Sequence, residues 1–117
     1  MNEWHDAGSL ADLTRDGRLI ARIAGREIGV LLLPGGGVRA VRNRCPHHGA
    51  PLCVGTVRRR EQADLPELYR DPGPVVLRCP WHGWEFRVDD GSCPEDSRMR
   101  VATYDARVDG DRVLVSA

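Results

Sequence analysis

Cys45-Pro46-His47-His48-Gly49 and Cys79-Pro80-Trp81-His82-Gly83-Trp84 are the two stretches around which this chain is organised. Each places one thiol and one imidazole inside a tight Pro/Gly turn, in the pattern C-x-H … C-x-x-H. Pro has no backbone donor and Gly opens positive φ, so the pair brackets a loop, not a helix or strand interior. Loops on a rigid scaffold are where binding side chains are displayed. Thiolates and imidazole nitrogens together suit zinc, copper or iron–sulfur chemistry. Structural zinc loops usually pair like with like, Cys with Cys and His with His. Here each loop mixes one Cys with one His, as a two-metal centre with divided ligation requires.

The two loops, CPHHGAPL and CPWHGWEF, resemble those of the Rieske [2Fe–2S] family. In that family each loop gives one Cys to an inner iron and one His to an outer iron. The resemblance implies that Cys45 and Cys79 hold the inner iron of one [2Fe–2S] cluster, and that His47 and His82 hold the outer iron. It also implies an all-β fold: a small antiparallel Rieske-type barrel or sandwich with a two-loop cluster-binding subdomain over residues 45–93. High-potential Rieske proteins add a cross-cluster disulfide and hydroxyl donors to the sulfurs. The corresponding positions here are Ala50 and Trp81 for the thiols, and Trp84 and Phe86 for the hydroxyls. None of these four supplies such a group, so the resemblance implies a potential at the low end of the Rieske range. His48 reads as a polar loop residue, with a place at a docking face as its functional alternative.

The 117 residues fit one domain, 1–117, with room for one hydrophobic core. Aromatics are 5% of the chain, so that core is aliphatic. Seventeen basic residues, all Arg, balance seventeen acidic ones, and a neutral chain is not a nucleic-acid binder by bulk charge. No apolar window is long enough to span a membrane. The start, Met-Asn-Glu-Trp-His-Asp, has neither a basic nor an apolar leader region. The expected compartment is therefore the cytoplasm, where thiols stay reduced or bind metal. That leaves Cys53 and Cys93 as small buried thiols, with a disulfide between them left open.

Along the chain, Trp4 opens a first strand, and Ser9 caps a short helical turn. Arg18–Ala24 alternates as a half-buried strand, and Ile28–Leu33 is a continuous apolar run, hence a buried strand. Pro34–Gly37 turns the chain into a strand over Val38–Arg42 that delivers the first loop. The 31 residues between His47 and Cys79 (48–78) are more than a compact Rieske ferredoxin has there. The extra stretch, 55–74, includes Arg58-Arg59-Arg60 and Leu65-Pro66-Glu67-Leu68-Tyr69. It reads as a surface excursion, or as an ordered flap whose arginines meet a redox partner. Val75–Leu77 and Trp84–Val88 are strands either side of the second loop, and Asp89-Asp90-Gly91 is a hairpin turn. Alternation over Met99–Thr103, the Asp109-Gly110 turn and Val113–Val115 close the fold.

The implied function is one-electron transfer between a reductase and a terminal oxygenase or similar enzyme, with no small-molecule substrate of its own. A self-contained oxygenase needs a second iron on two His and a carboxylate. Only His5 and His48 remain after His47 and His82. Two alternatives stand beside the carrier: a Rieske-type small subunit of a larger oxidoreductase such as nitrite reductase, and a zinc-stapled binding module. Members of the small-subunit group can lack the ligands, and all four are present here.

Overall fold

Ile28, Val30 and Leu31 are completely buried, and their burial on two faces of one strand sets the architecture. The computed structural model describes residues 3–60 and 74–117. Strand β3 (Arg26–Leu32) carries the run between antiparallel neighbours β2 (Arg18–Ile23) and β4 (Val38–Arg42). A two-residue strand, β8 (Thr103–Tyr104), completes the order β2-β3-β4-β8. Side chains alternate across a strand. Ile28, Val30 and Ala40 therefore enter one apolar cluster, while Leu31 and Val41 enter another on the opposite face.

The first cluster is closed by a sheet of order β1-β10-β9, formed by Trp4–Ser9, Arg112–Ser116 and Ala106–Asp109. Val113, Val115 and Leu13 complete it, Leu13 from helix α1 (Leu10–Asp16). That helix starts where the Ser9 hydroxyl accepts the Asp12 N–H at 3.1 Å, as an N-cap does. The second cluster lies under β5 (Thr56–Arg59), β6 (Val75–Arg78) and β7 (Glu85–Arg87), paired in that order. It contains Leu52, Leu77, Phe86 and Val88, together with all four cysteines. The expected single core is thus two buried clusters sharing one sheet. This is affordable at 117 residues because β3 and β4 serve both with the same backbone.

Two local expectations change. Residues 99–102 form no strand, because their backbone bonds go to two sides: Val101 N–H to the Gly91 carbonyl, and the Ala102 carbonyl to Arg42 N–H. The turn at 88–90 leads to a single bridge, Ser92 with Arg100, in place of a hairpin. Cys53 and Cys93 are free buried thiols, as expected. Leu65–Tyr69, expected to pack in the 55–74 stretch, lies outside the described residues.

Cys53 joins the central sheet to the second cluster. It sits in a 3-10 turn, Leu52–Val54, and its Sγ donates to the Val41 carbonyl at 3.3 Å. A Cβ placed on Gly29 would lie 2.5 Å from both the Cβ and the Sγ of Cys53, so only glycine fits in mid-strand there. Arg18 Nη1 donates to the carbonyls of Cys53 (2.9 Å) and Gly55 (3.2 Å), and Asn43 Oδ1 accepts Cys53 N–H at 2.7 Å. Burial pushes the Cys53 thiol up to about 12. The folded state keeps a proton that the unfolded chain releases from about pH 9 upward, so stability falls as pH rises through that window. Expected in urea titrations: raising the pH from about 8 to about 10.5 costs wild type about 2 kcal/mol more than it costs Cys53→Ala. Equal losses in the two proteins would remove Cys53 from the alkaline limb.

Candidate metal centre

The two loops are built by the same backbone closure. In the first, Cys45 N–H donates to the Ala50 carbonyl at 2.8 Å and Gly49 N–H to the Cys45 carbonyl at 2.7 Å. In the second, Cys79 N–H donates to the Trp84 carbonyl at 2.7 Å and Gly83 N–H to the Cys79 carbonyl at 3.1 Å. Both rings need a residue in the left-handed region, supplied by Gly49 at φ +76° and Gly83 at φ +73°. Both also carry an arginine over that glycine. A Cβ on Gly49 would meet Arg44 Nη2 at 3.3 Å, and one on Gly83 would meet Arg78 Nη2 at 2.8 Å. The local sequences are Arg44-Cys45-Pro46-His47-His48-Gly49 and Arg78-Cys79-Pro80-Trp81-His82-Gly83, an R-C-P-x-H-G repeat. Reading each motif from its Cys onward leaves these arginines out; comparing the motifs with each other finds them.

Closure of this kind sorts the donors by depth. Cys45 is 1% exposed and Cys79 2%, while His47, His48 and His82 are exposed at the tips. The His47 and His82 ring centroids lie 5.3 Å apart. His48 sits 3.9 Å from His47 and 4.9 Å from His82, so the structure brings it to the tip as well. Trp84 closes the side, its ring 5.1 Å from that of His47. Burial raises the Cys45 thiol, and the neighbouring Cys79 adds to the rise. Desolvation, with His48 and His82 nearby, lowers the His47 imidazole's pKa from its ordinary value. Among the described residues, no three His, Cys, Asp or Glu converge on a single metal position. Two buried thiols and two exposed imidazoles are the donor set that a two-plus-two division over two irons would use.

Polar side chains hold the loops to the fold. Asn43, two residues before Cys45, donates through Nδ2 to Glu27 Oε1 at 2.6 Å while it accepts from Cys53. Arg39 donates to the Val88 (2.9 Å) and Asp89 (2.7 Å) carbonyls beyond β7. Glu85, directly after Trp84, is the one buried charged residue among the described residues, at 5% exposure. Arg58 Nη2 and Arg60 Nη1 each reach it at 2.6 Å, and Arg60 also pairs with Glu95 at 2.7 Å. Two guanidiniums of the Arg58-Arg59-Arg60 run thus pair with Glu85 while staying partly exposed, and Arg59 is exposed.

A family model described as a Rieske-like [2Fe-2S] domain matches residues 3–116. The chain is similar to oxidoreductase NdmD of Pseudomonas putida, 28% identical over 116 residues; the match covers 92% of this chain, which spans 17% of that protein. It is also similar to a solved structure described as an NADH-dependent nitrite reductase small subunit from Mycobacterium tuberculosis. That structure is 27% identical with a TM-score of 0.81, covering 100% of this chain and 96% of the other. The ferredoxin of carbazole 1,9a-dioxygenase from Nocardioides aromaticivorans IC177 is 26% identical with a TM-score of 0.69, covering 96% and 95%. No helix among the described residues is long and apolar enough to cross a membrane.

Removing Glu85 leaves two guanidiniums facing a buried site, and an uncompensated charge costs more than the pair contributed. Arg58 and Arg60 are 41% and 34% exposed, so water relieves part of that cost. Glu85→Ala is expected to lower unfolding free energy by about 2–3 kcal/mol in denaturant titration. A loss within experimental error of zero would show that the network is replaceable by solvent.

Proposed function

Because the chain belongs to the Rieske-like [2Fe–2S] domain family, we propose that it is a one-electron carrier between a reductase and a terminal oxygenase or similar enzyme. The observation that carries this reading is the depth sorting of the donors, thiols buried and imidazoles at the tip. Cys45 and Cys79 would hold the inner iron and His47 and His82 the outer iron. The bound cluster supplies a one-electron couple tuned by burial and by hydrogen bonds to sulfur. The chain's own part is to keep the thiols dry under Leu52, Leu77 and Phe86 and to present the imidazoles to a partner. Four unpaired cysteines suit a reducing compartment and support the cytoplasm as its location.

A second reading, the small subunit of a nitrite reductase, is favoured by the end-to-end superposition on the described small subunit. The two part on assembly. A carrier elutes alone and turns over between two partners, whereas a subunit stays with its large chain through purification.

Two outcomes test the carrier. Cys45→Ser and Cys79→Ser are expected to abolish bound iron and the reduced-state paramagnetic signal, while Cys53→Ser and Cys93→Ser keep both. Iron retained in Cys45→Ser with iron lost in Cys53→Ser would reverse the assignment. The midpoint is expected at roughly −150 to −50 mV, the low part of the Rieske span. Trp84 and the wholly buried Phe86 offer no hydroxyl, so fewer donors stabilise the reduced cluster. A potential above roughly +150 mV would contradict this.

A further inference from the structure

The chain is neutral as a whole, but its charge is not evenly spread. Residues 18–60 hold nine Arg against a single acid, Glu27. Several of the nine are turned inward or engaged: Arg18 on the Cys53 and Gly55 carbonyls, Arg39 on Val88 and Asp105, Arg58 and Arg60 on Glu85. Arg59 is engaged too. Arg22, Arg26, Arg42 and Arg44 remain. All four are exposed, and no described residue accepts a hydrogen bond from them or forms an ion pair with them. They are also together. Arg22 and Arg26 flank the β2–β3 turn, Arg42 ends β4 opposite Ile28, and Arg44 covers Gly49. One concavity is lined by all four, with Gly49 at its rim, and a second by Arg42, Arg44, Pro46 and Arg100. Glu27 is the one acid in the first, and its Oε1 is already bonded to Asn43.

The patch therefore borders the first ligand loop directly, through Pro46 and Gly49. The acids lie elsewhere in the sequence: residues 3–17 and 103–117 hold seven against three Arg, and residues 61–96 hold nine, with Glu95 beside His82 of the second loop. The molecule carries a charge asymmetry whose positive side adjoins the first ligand loop. Single-sign surfaces of this kind steer an oppositely charged partner and set association rate more than affinity.

We propose that Arg22, Arg26, Arg42 and Arg44 form the docking surface for an acidic face of the redox protein that exchanges electrons with the loop tip. This rests on the carrier reading. The docked donor loses one electron and the cluster gains it, with no bond made or broken. Against four guanidiniums the concavity holds one carboxylate, Glu27, so the patch keeps a positive excess that an acidic partner face complements.

The test uses the cluster-loaded protein and two one-electron proteins of opposite surface charge: flavodoxin hydroquinone, acidic, as donor, and cytochrome c, basic, as acceptor. For wild type, the second-order rate with flavodoxin is expected to fall steeply as salt is raised, and the rate with cytochrome c to be flat or to rise. Arg22→Glu/Arg26→Glu/Arg42→Glu should slow flavodoxin roughly five- to tenfold at low salt and flatten its salt dependence, with iron content and visible spectrum unchanged. The Lys triple should stay within about twofold of wild type, and the Gln triple should lie between, which also serves if the Glu triple does not fold. Arg15→Glu, on α1, should change nothing. Equal rates and salt slopes in wild type and in the Glu or Gln triple overturn the proposal. So does saturable binding of inorganic phosphate that the triple loses while its flavodoxin rate is unchanged, which would make this a small-anion site. A loaded wild type that exchanges electrons with neither protein overturns the carrier reading itself, and the docking surface with it.

Discussion

The hydrogen bond from each cysteine's own N–H to a carbonyl five residues on is the constraint the site depends on. It appears twice, at 2.8 Å from Cys45 and 2.7 Å from Cys79. Because the ring is closed at the cysteine, the Sγ starts at the base of the loop, in the apolar cluster, and residues two or three positions on must rise to the tip. A C-x-H loop and a C-x-x-H loop can therefore present their imidazoles side by side despite different spacing. The same closure explains the glycines. The return leg of each ring passes through positive φ, at a position where an added Cβ would press on the preceding arginine's guanidinium.

Holding two such rings face to face requires a platform under both, and the central sheet is that platform. Arg39 ties β4 to the residues after β7, Asn43 ties the first loop to β3 and to Cys53, and Gly29 lets Cys53 approach the strand. These are few contacts, but each joins segments far apart in the chain, so the relative position of the loops is set by long-range bonds and not by local propensity. The buried Glu85 does the same within the outer sheet, since Arg58 on β5 and Arg60 just past it reach the end of β7 across β6.

Much of this was legible in the residues. The two Pro/Gly-bracketed motifs located the loops, the Ile28–Leu33 run marked the central strand, and Ser9 marked the helix start. What escaped has physical reasons. Two cores looked excessive for the length because a strand buried on both faces was not counted twice. The strand expected at 99–102 follows apolar alternation, but alternation records which side chains are buried, as Val101 is, and not whether the backbone finds one continuous partner. Arg44 and Arg78 were overlooked because an arginine has no ligand chemistry of its own; only the repeat of the whole hexapeptide marks them.

Charge was the least legible property, because composition sums what the fold separates. Seventeen positive and seventeen negative groups cancel on paper. In the folded chain, Glu85 takes up Arg58 and Arg60, backbone carbonyls take up Arg18, and Arg39 divides itself between carbonyls and Asp105. In the run of three arginines, two guanidiniums pair with Glu85 at partly exposed positions. The exposed field comes instead from residues scattered along the sequence at 22, 26, 42 and 44, which adjacent strand ends bring together. Over the Debye length of about 8–10 Å at ordinary ionic strength, such a local field acts almost independently of the molecule's zero total. A neutral chain can thus present a strongly signed surface beside the loops where three of its imidazoles reach solvent.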